Sequence, residues 1–197
     1  MSKGVYVGID IGSSRTKVAV VDAERQLLGY AVRQSGTDFT ATAAACLDAS
    51  LAMAGAGRGG IANAVSTGYG RANVAFVARE NKTEIGCLAN WGRHSFPEAI
   101  TIIDIGGQDC KAIKLDRDGR IVKFTTNDKC AAGTGRFLEV MAKLLNLSLE
   151  DLGDLSARAR NPMDLAAACT VWAQTEVIHH LNNGTPIEDI AAAINQA

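Results

Sequence analysis

The chain has 197 residues, of which 47% are hydrophobic and 21% are charged, a composition typical of a globular protein with one large or two small domains. Its formal net charge of −1 offers no excess positive charge for binding nucleic acid or an anionic membrane. The sequence contains neither a long apolar run nor a secretory leader, so it predicts a cytoplasmic protein without a membrane partner.

The first part of the chain reads as three strands joined by short turns, which is typical of an antiparallel meander. The strands are predicted at 5–11, 17–21 and 26–32. An Ala-rich helix follows over 38–54, with Asp38 or Thr40 as its cap, and a further strand is predicted at 61–67.

Residues 102–124 repeat the plan of the first meander in one register without a gap. Two acids and one lysine recur at the same spacing, and apolar strand positions also coincide. The matched pairs are Asp10 and Asp104, Lys17 and Lys111, and Asp22 and Asp116. So many coincidences in one register indicate a duplicated supersecondary unit.

The remainder of the chain is predicted to be helical. Apolar spacing indicates a helix over 136–146 and another over 170–181, and Ser148 to Asp151 resembles a capping box that opens a helix between them.

A last helix is predicted after Thr185 and Pro186, with Ile187, Ile190 and Ile194 on one face. Little sequence remains to cover that face. We therefore expect its cover to come from the second lobe, from a second copy or from sequence beyond Ala197, and we infer a fragment or a partner-dependent chain.

The turns after Asp10 and Asp104 have the composition of phosphate-binding loops. Glycine permits close approach of the backbone to phosphate, and N–H groups and hydroxyls can hold phosphate oxygens. We predict that Asp10 and Asp104 organise Mg²⁺ and that Gln108 orients an attacking water. The predicted loop residues are Gly12, Ser13, Ser14 and Lys17 in the first copy and Gly106, Gly107, Gln108 and Lys111 in the second. The alternative is that both loops are simple β-turns.

The two loops resemble phosphate motifs 1 and 2 of the acetate and sugar kinase/Hsp70/actin superfamily. Two longer segments are more specific: 104–111 reads DIGGQDCK, and 127–142 reads NDKCAAGTGRFLEVMA. They resemble the activator (component A) of 2-hydroxyacyl-CoA dehydratases, in the ATPase family that also includes benzoyl-CoA reductase subunits. Similar segments occur at 67–71, 83–87 and 169–178.

The resemblance covers the whole chain but has departures. Cys87 is followed by Leu88 where the family often has His, and Cys110 stands where Ser is common. The family's last portion, which carries a Gly-Gly motif that contacts adenosine, lies beyond Ala197, so we expect weak ATP binding.

The resemblance implies an α/β fold of duplicated actin-like (ribonuclease H-like) ATPase lobes with mixed sheets. The first lobe would span 1–98 with the first phosphate loop. The second would span 99–197 with the second loop and the cluster-binding helices, and would be truncated at its C-terminus. ATP and Mg²⁺ are the implied ligands, with Gly133 and Gly135 among the nucleotide-binding residues.

The five cysteines are widely spaced and contain no C-x-x-C pair, which argues against a disulfide framework or a self-contained zinc site. Cys130 and Cys169 each precede a predicted helix, whose N-terminus stabilises a thiolate. The alternative is that both are small buried residues. The resemblance implies one [4Fe–4S] cluster bridging two subunits of a homodimer through these two cysteines. Cys46, Cys87 and Cys110 are expected to be structural.

The implied function is an ATP-dependent activator. It would receive an electron from ferredoxin or flavodoxin and pass it at low potential to a dehydratase component. Three alternatives remain: an ATPase subunit of a benzoyl-CoA reductase-type enzyme acting with acyl-CoA reductase subunits, a small-molecule kinase of the same superfamily, and a non-catalytic fragment. A kinase needs an acceptor pocket with a catalytic base, for which the sequence offers no candidate. A kinase function would also leave Cys130 and Cys169 without a role.

Overall fold

The computed structural model describes residues 4–98, 100–127, 133–165 and 169–197. The chain divides into two compact units, one of residues 1–100 with 114–122 and one of residues 101–113 with 123–197. The segment 114–122 therefore belongs to the first unit, whereas the sequence led us to expect a single division after residue 98.

The first unit contains a mixed five-stranded sheet. Its strands are β1 (Val5–Ile11), β2 (Arg15–Val21), β3 (Leu27–Gln34), β4 (Ile61–Thr67) and β5 (Glu80–Asn81). They lie in the order β3-β2-β1-β4-β5. The meander β1–β3 is antiparallel, as predicted, while β4 pairs parallel with both β1 and β5.

Helix α1 (Phe39–Met53) covers one face of this sheet, and the Asp38 carboxylate caps it by accepting a hydrogen bond from the Ala41 N–H. Alternate residues of β1 and β2 point into the core beneath it. The buried set is Val5, Val7, Ile9, Ile11, Val18, Val20, Ala43, Cys46, Leu47 and Leu51. Helix α2 (Glu84–Ser95) follows β5 and is capped by Thr83.

A three-stranded sheet follows, with β6 (Thr101–Ile105), β7 (Cys110–Leu115) and β8 (Ile121–Thr126) in that order. Backbone hydrogen bonds close its turns: the Gly106 N–H donates to the Asp109 carbonyl, and the Asp116 N–H donates to the Arg120 carbonyl. These strands lie where the sequence repeat predicted them.

Four helices complete the second unit: α3 (Gly135–Leu144), α4 (Leu149–Ser156), α5 (Thr170–Asn182) and α6 (Ile187–Gln196). Their shared core comprises Phe137, Met141, Ala142, Leu152, Ala173, Val177, Ile190, Ala191 and Ile194. The predicted capping box is present, because the Ser148 hydroxyl accepts from the Asp151 N–H while the Asp151 carboxylate accepts from the Ser148 N–H.

Helix α6 corrects one expectation. Ile190 and Ile194 are fully buried against the other helices of the same unit. The Asp189 carboxylate is buried too and accepts hydrogen bonds from the N–H groups of Arg160 and Asn161. Of the three covers expected from the sequence, the one observed is the second unit itself, so this face is no evidence for a missing segment or a partner.

In the part of the chain that the structure describes, no helix has the length and apolar character needed to cross a membrane.

Candidate functional site

The first predicted phosphate loop is the tight turn between β1 and β2. The Gly12 N–H donates to the Arg15 carbonyl over 3.0 Å, and a Cβ on Gly12 would lie 2.9 Å from that carbonyl oxygen. Any larger residue would therefore open the turn. Lys17 Nζ lies 2.8 Å from Asp10 Oδ2, and both side chains remain partly exposed.

The same turn is held by two hydrogen bonds from Ser35, the residue after β3. Its hydroxyl donates to the Gly12 carbonyl over 2.6 Å, and its N–H donates to the Ser14 carbonyl over 3.0 Å. Ser35 also shares a hydrogen bond with the buried Thr16 hydroxyl. Sequence reasoning missed Ser35, because its role arises from the pairing of β2 with β3 and not from the loop itself.

The second predicted loop, between β6 and β7, repeats this turn but buries its lysine. The Gly106 N–H donates to the Asp109 carbonyl over 2.7 Å. Lys111 is only 7% exposed, and its Nζ lies 2.7 Å from Asp109 Oδ2 and 3.7 Å from Asp104 Oδ2. Asp109 was not predicted as a site residue. In the sequence repeat Asp109 occupies the position of Arg15. This change from a positive to a negative side chain could have marked Asp109 as a site residue.

The next turn of each copy, between β2 and β3 in the first and between β7 and β8 in the second, also matches. In each, an aspartate N–H donates to a carbonyl four residues later, and the carboxylate of the same aspartate accepts from the N–H of that later residue. The aspartates are Asp22 and Asp116. The left-handed position of the turn is Arg25 (φ 65°) in the first copy and Gly119 (φ 74°) in the second. The two three-stranded meanders therefore share the hydrogen bonds of both their turns.

Helix α3 begins directly on the second loop. The Gly135 N–H donates to the Gly106 carbonyl and the Arg136 N–H donates to the Gly107 carbonyl, both over 3.0 Å. Gly133 has a left-handed φ of 73° just before this helix. The predicted residues Gly133, Gly135, Gly106 and Gly107 are thus brought together, while Gln108 is exposed on the loop.

Cys110 ties the second loop to the segment before α3. Its N–H donates to Asn127 Oδ1 over 2.8 Å, and its Sγ donates to the Gly133 carbonyl over 3.3 Å. Burial raises the pKa of the Cys110 thiol, and the negative charges of Asp109 and Asp104 raise it further. Cys110 thus remains a neutral thiol at physiological pH, consistent with a structural role.

Of the two predicted cluster ligands, the structure places one. Cys169 is the N-cap residue of α5 and is partly buried, as predicted from its position before a helix. Cys130 lies outside the described residues. Among the described residues, no group of three or more His, Cys, Asp or Glu side chains is arranged to hold a metal ion.

Cys46 behaves as expected for a packing residue. It lies on the buried face of α1 and is completely buried there, and burial raises the pKa of its thiol.

The model of the BadF/BadG/BcrA/BcrD ATPase family matches residues 7–197. The chain belongs to this ATPase family. The match spans both loops, and the resemblance seen in the sequence is confirmed.

Members of the BadF/BadG/BcrA/BcrD family that resemble this chain include dehydratase activators. The 2-hydroxyisocaproyl-CoA dehydratase activator of Clostridioides difficile is 41% identical over 189 residues, which cover 96% of this chain and 70% of that protein. Its structure with bound ADPNP matches with a TM-score of 0.87. Component A of the (R)-2-hydroxyglutaryl-CoA dehydratase of Acidaminococcus fermentans is 36% identical and also has a TM-score of 0.87, over 97% of this chain and 73% of its own.

A more distant member of the family is a benzoyl-CoA reductase subunit of Thauera aromatica. It is 34% identical over 99 residues, which cover 50% of this chain and 35% of that protein. The activator structures confirm an α/β fold with a mixed sheet for this chain.

Proposed function

We propose that this chain is the ATP-dependent activator of a 2-hydroxyacyl-CoA dehydratase. The observation that carries the proposal is its similarity, over 96% of its length, to a dehydratase activator whose structure contains ADPNP. The alignment includes both units and therefore both Asp–Lys hairpins.

We further propose that the two units are duplicated actin-like lobes. The support is the pair of hairpins, whose turns share the same backbone bonds, Gly12 with Arg15 and Gly106 with Asp109. In each hairpin an aspartate at the end of the first strand lies near a lysine of the next strand. Matching hydrogen bonds in two segments with the same spacing of Asp, Gly and Lys are what a duplicated supersecondary unit would retain.

ATP and Mg²⁺ fit the residues present. The side chains of Asp10 and Asp104 are 36% and 33% exposed, so each carboxylate can accept hydrogen bonds from the water shell that Mg²⁺ retains. Lys17 is half-exposed and can neutralise phosphate charge, whereas Lys111 is held between two carboxylates. Gly12 to Ser14 and Gly106 to Gln108 would hold phosphates, and the exposed Gln108 would orient the attacking water.

A [4Fe–4S] cluster fits Cys169, the one of its two proposed ligands that the structure describes. Cys169 occupies the N-cap position of α5, where the helix N-terminus stabilises negative charge on a thiolate. Four thiolates are needed, so Cys130 and Cys169 from each of two subunits would complete the set. Such a cluster, when bound, supplies a one-electron carrier of low potential. The chain would hold the cluster through these cysteines, with Cys169 at the N-cap of α5, and would couple the cluster's surroundings to nucleotide binding.

Two exposed apolar side chains beside Cys169 favour a homodimer. Val171 and Trp172, in the first turn of α5, are 68% and 72% exposed. An apolar pair next to the proposed ligand is suited to burial against a second copy. The further partners that we propose are the dehydratase component and, as electron donor, ferredoxin or flavodoxin.

The second candidate is an ATPase subunit of a benzoyl-CoA reductase-type enzyme. The similarity to the benzoyl-CoA reductase subunit of Thauera aromatica favours it, but that similarity covers half of the chain. The similarity to the dehydratase activator covers nearly all of it. Purified chain should activate a 2-hydroxyacyl-CoA dehydratase component in the presence of ATP and a reductant. ATP-dependent reduction of benzoyl-CoA with reductase subunits, without dehydratase activation, would favour the second candidate.

Iron content tests the cluster directly. Anaerobically prepared protein should contain about four irons per dimer and show broad visible absorption. Cys130→Ser and Cys169→Ser should each abolish both, because each would remove two of four ligands. Cys46→Ser is the matched control, since Cys46 is buried in the first unit's core and should leave iron unchanged. Full iron in both single variants would show that the ligand assignment is wrong.

A further inference from the structure

Asp10 has a hydroxyl beside it as well as a lysine. In the register of the first sheet Asp10 is opposite Lys17 on β2 and opposite Thr67 on β4. Side chains of register partners lie on the same face of a sheet. Lys17, Asp10 and Thr67 thus form one polar row across three strands, and Lys17 binds Asp10 Oδ2.

The hydroxyl of Thr67 is buried and has no hydrogen-bond partner in the part of the chain that the structure describes. A buried hydroxyl without a partner destabilises the fold, and native proteins retain few such groups without a functional reason. A Val at this position would fill the same space without that cost. A hydroxyl in this position is available to form a hydrogen bond when a ligand binds beside Asp10.

The next residue, Gly68, lies directly against the Asp10 carboxylate. Its φ is +90°, and a Cβ would lie 2.5 Å from Asp10 Oδ1 and 2.5 Å from the Ile11 carbonyl oxygen. Separations below 3.0 Å essentially never occur for a real Cβ. Further along the same turn, the Gly70 N–H donates to the Ile11 carbonyl over 2.8 Å, and Arg71 donates to the Gly68 carbonyl. The turn after β4 is thus closed onto the end of β1.

We propose that Thr67 and Gly68 are positioning residues for Asp10. Gly68 allows the turn to close on one side of the carboxylate and so limits its orientation. The Thr67 hydroxyl donates to the same carboxylate when Mg²⁺ and nucleotide are bound. The inference rests on the proposed function, in which Asp10 organises Mg²⁺.

Thr67→Val and Thr67→Ser test the hydroxyl. Without ligand, Thr67→Val should melt at or above the temperature of the unmodified protein, because the unpaired hydroxyl is gone. With Mg²⁺ and ADPNP its stabilisation should be smaller, and its apparent Mg²⁺ affinity and ATPase rate should each fall about tenfold, the loss expected for one hydrogen bond to a charged group. Thr67→Ser should keep both. If Thr67→Val keeps the full ligand-induced shift and Mg²⁺ affinity, Thr67 has no positioning role.

Gly68→Ala tests the close approach, and Gly36→Ala and Gly55→Ala are its controls. Both control glycines have positive φ, +61° and +63°, but a Cβ added at either would have no atom within 4 Å. The controls should lower the melting temperature and leave Mg²⁺ dependence unchanged. Gly68→Ala should in addition raise the Mg²⁺ concentration for half-maximal ADPNP binding more than tenfold. An unchanged Mg²⁺ requirement in folded Gly68→Ala protein would overturn its role, and if this variant fails to fold, the Thr67 pair decides.

Asp10→Asn in the same assays distinguishes a failure of the proposed function from a failure of this inference alone. If it binds Mg²⁺ and hydrolyses ATP normally, the role of Asp10 in the proposed function is wrong and this inference falls with it. If it loses both while the Thr67 and Gly68 variants lose neither, the proposed function stands and the inference alone fails.

Discussion

At the scale of single residues, two lysines with the same place in the repeat have different surroundings. Lys17 pairs with Asp10 and is half-exposed, whereas Lys111 is buried between Asp109 and Asp104. A lysine shared by two carboxylates has its charge neutralised within the protein, so it adds little to the field at a phosphate. We therefore expect Lys17 to be the lysine that contributes more to nucleotide binding.

The two loop aspartates give a direct test. Asp10→Asn and Asp104→Asn keep the size of the side chain but remove the charge that would organise Mg²⁺. Each should lower the ATPase rate more than tenfold at saturating Mg²⁺, measured as phosphate release. Asp48→Asn is the control, because Asp48 is an exposed residue of α1 that pairs with Arg58. Equal ATPase rates in all three variants would show that Asp10 and Asp104 do not contribute to ATP hydrolysis.

At the scale of helices and strands, the C-terminal helix α6 packs into the core of the second unit. One face of α6 is buried by α3, α4 and α5, and the Asp189 carboxylate joins it to the loop at 160–161. A buried carboxylate with two N–H donors fixes the helix in rotation as well as in position.

Ile190→Ala measures how much the packing of α6 contributes to the stability of the protein. Ile190 is completely buried, and truncating a buried Ile to Ala typically costs about 2–5 kcal/mol. We expect a loss of this size in the free energy of unfolding by urea. Asn195→Ala on the exposed side of the same helix should change stability by less than about 0.5 kcal/mol. A loss below about 1 kcal/mol for Ile190→Ala would mean that α6 does not pack in solution as described.

At the scale of the whole molecule, the proposed homodimer depends on the surface beside Cys169. Trp172→Glu places a charge where we propose that a second copy binds, so sedimentation should show a shift from dimer to monomer and a loss of the shared cluster. Trp91→Glu is the control, because Trp91 is also exposed but lies in the first unit on α2. A dimer that survives Trp172→Glu with its iron intact would place the interface elsewhere.

Much of the fold was predictable because its signals are local. The Asp38 cap, the Ser148 capping box and the two Gly-containing turns depend on residues within a few positions of one another. The sequence left the cover of the α6 face open among three possibilities, because periodicity shows that a face is apolar but not which helices will cover it. Predictions for Cys130, the cluster and the dimer remain predictions.

The sequence by itself determined the first four strands, the second meander and most of the helices, since each is encoded in spacing along the chain, and its motifs carried the resemblance to the family. Only the tertiary structure decided which side chains meet across strands. It placed Ser35 behind Gly12 and gave Lys111 a second carboxylate, Asp109. It also aligned Thr67 with Asp10 across a parallel pair whose connection passes through α1. Such contacts depend on strand register, and register is fixed only when the core of the whole unit packs.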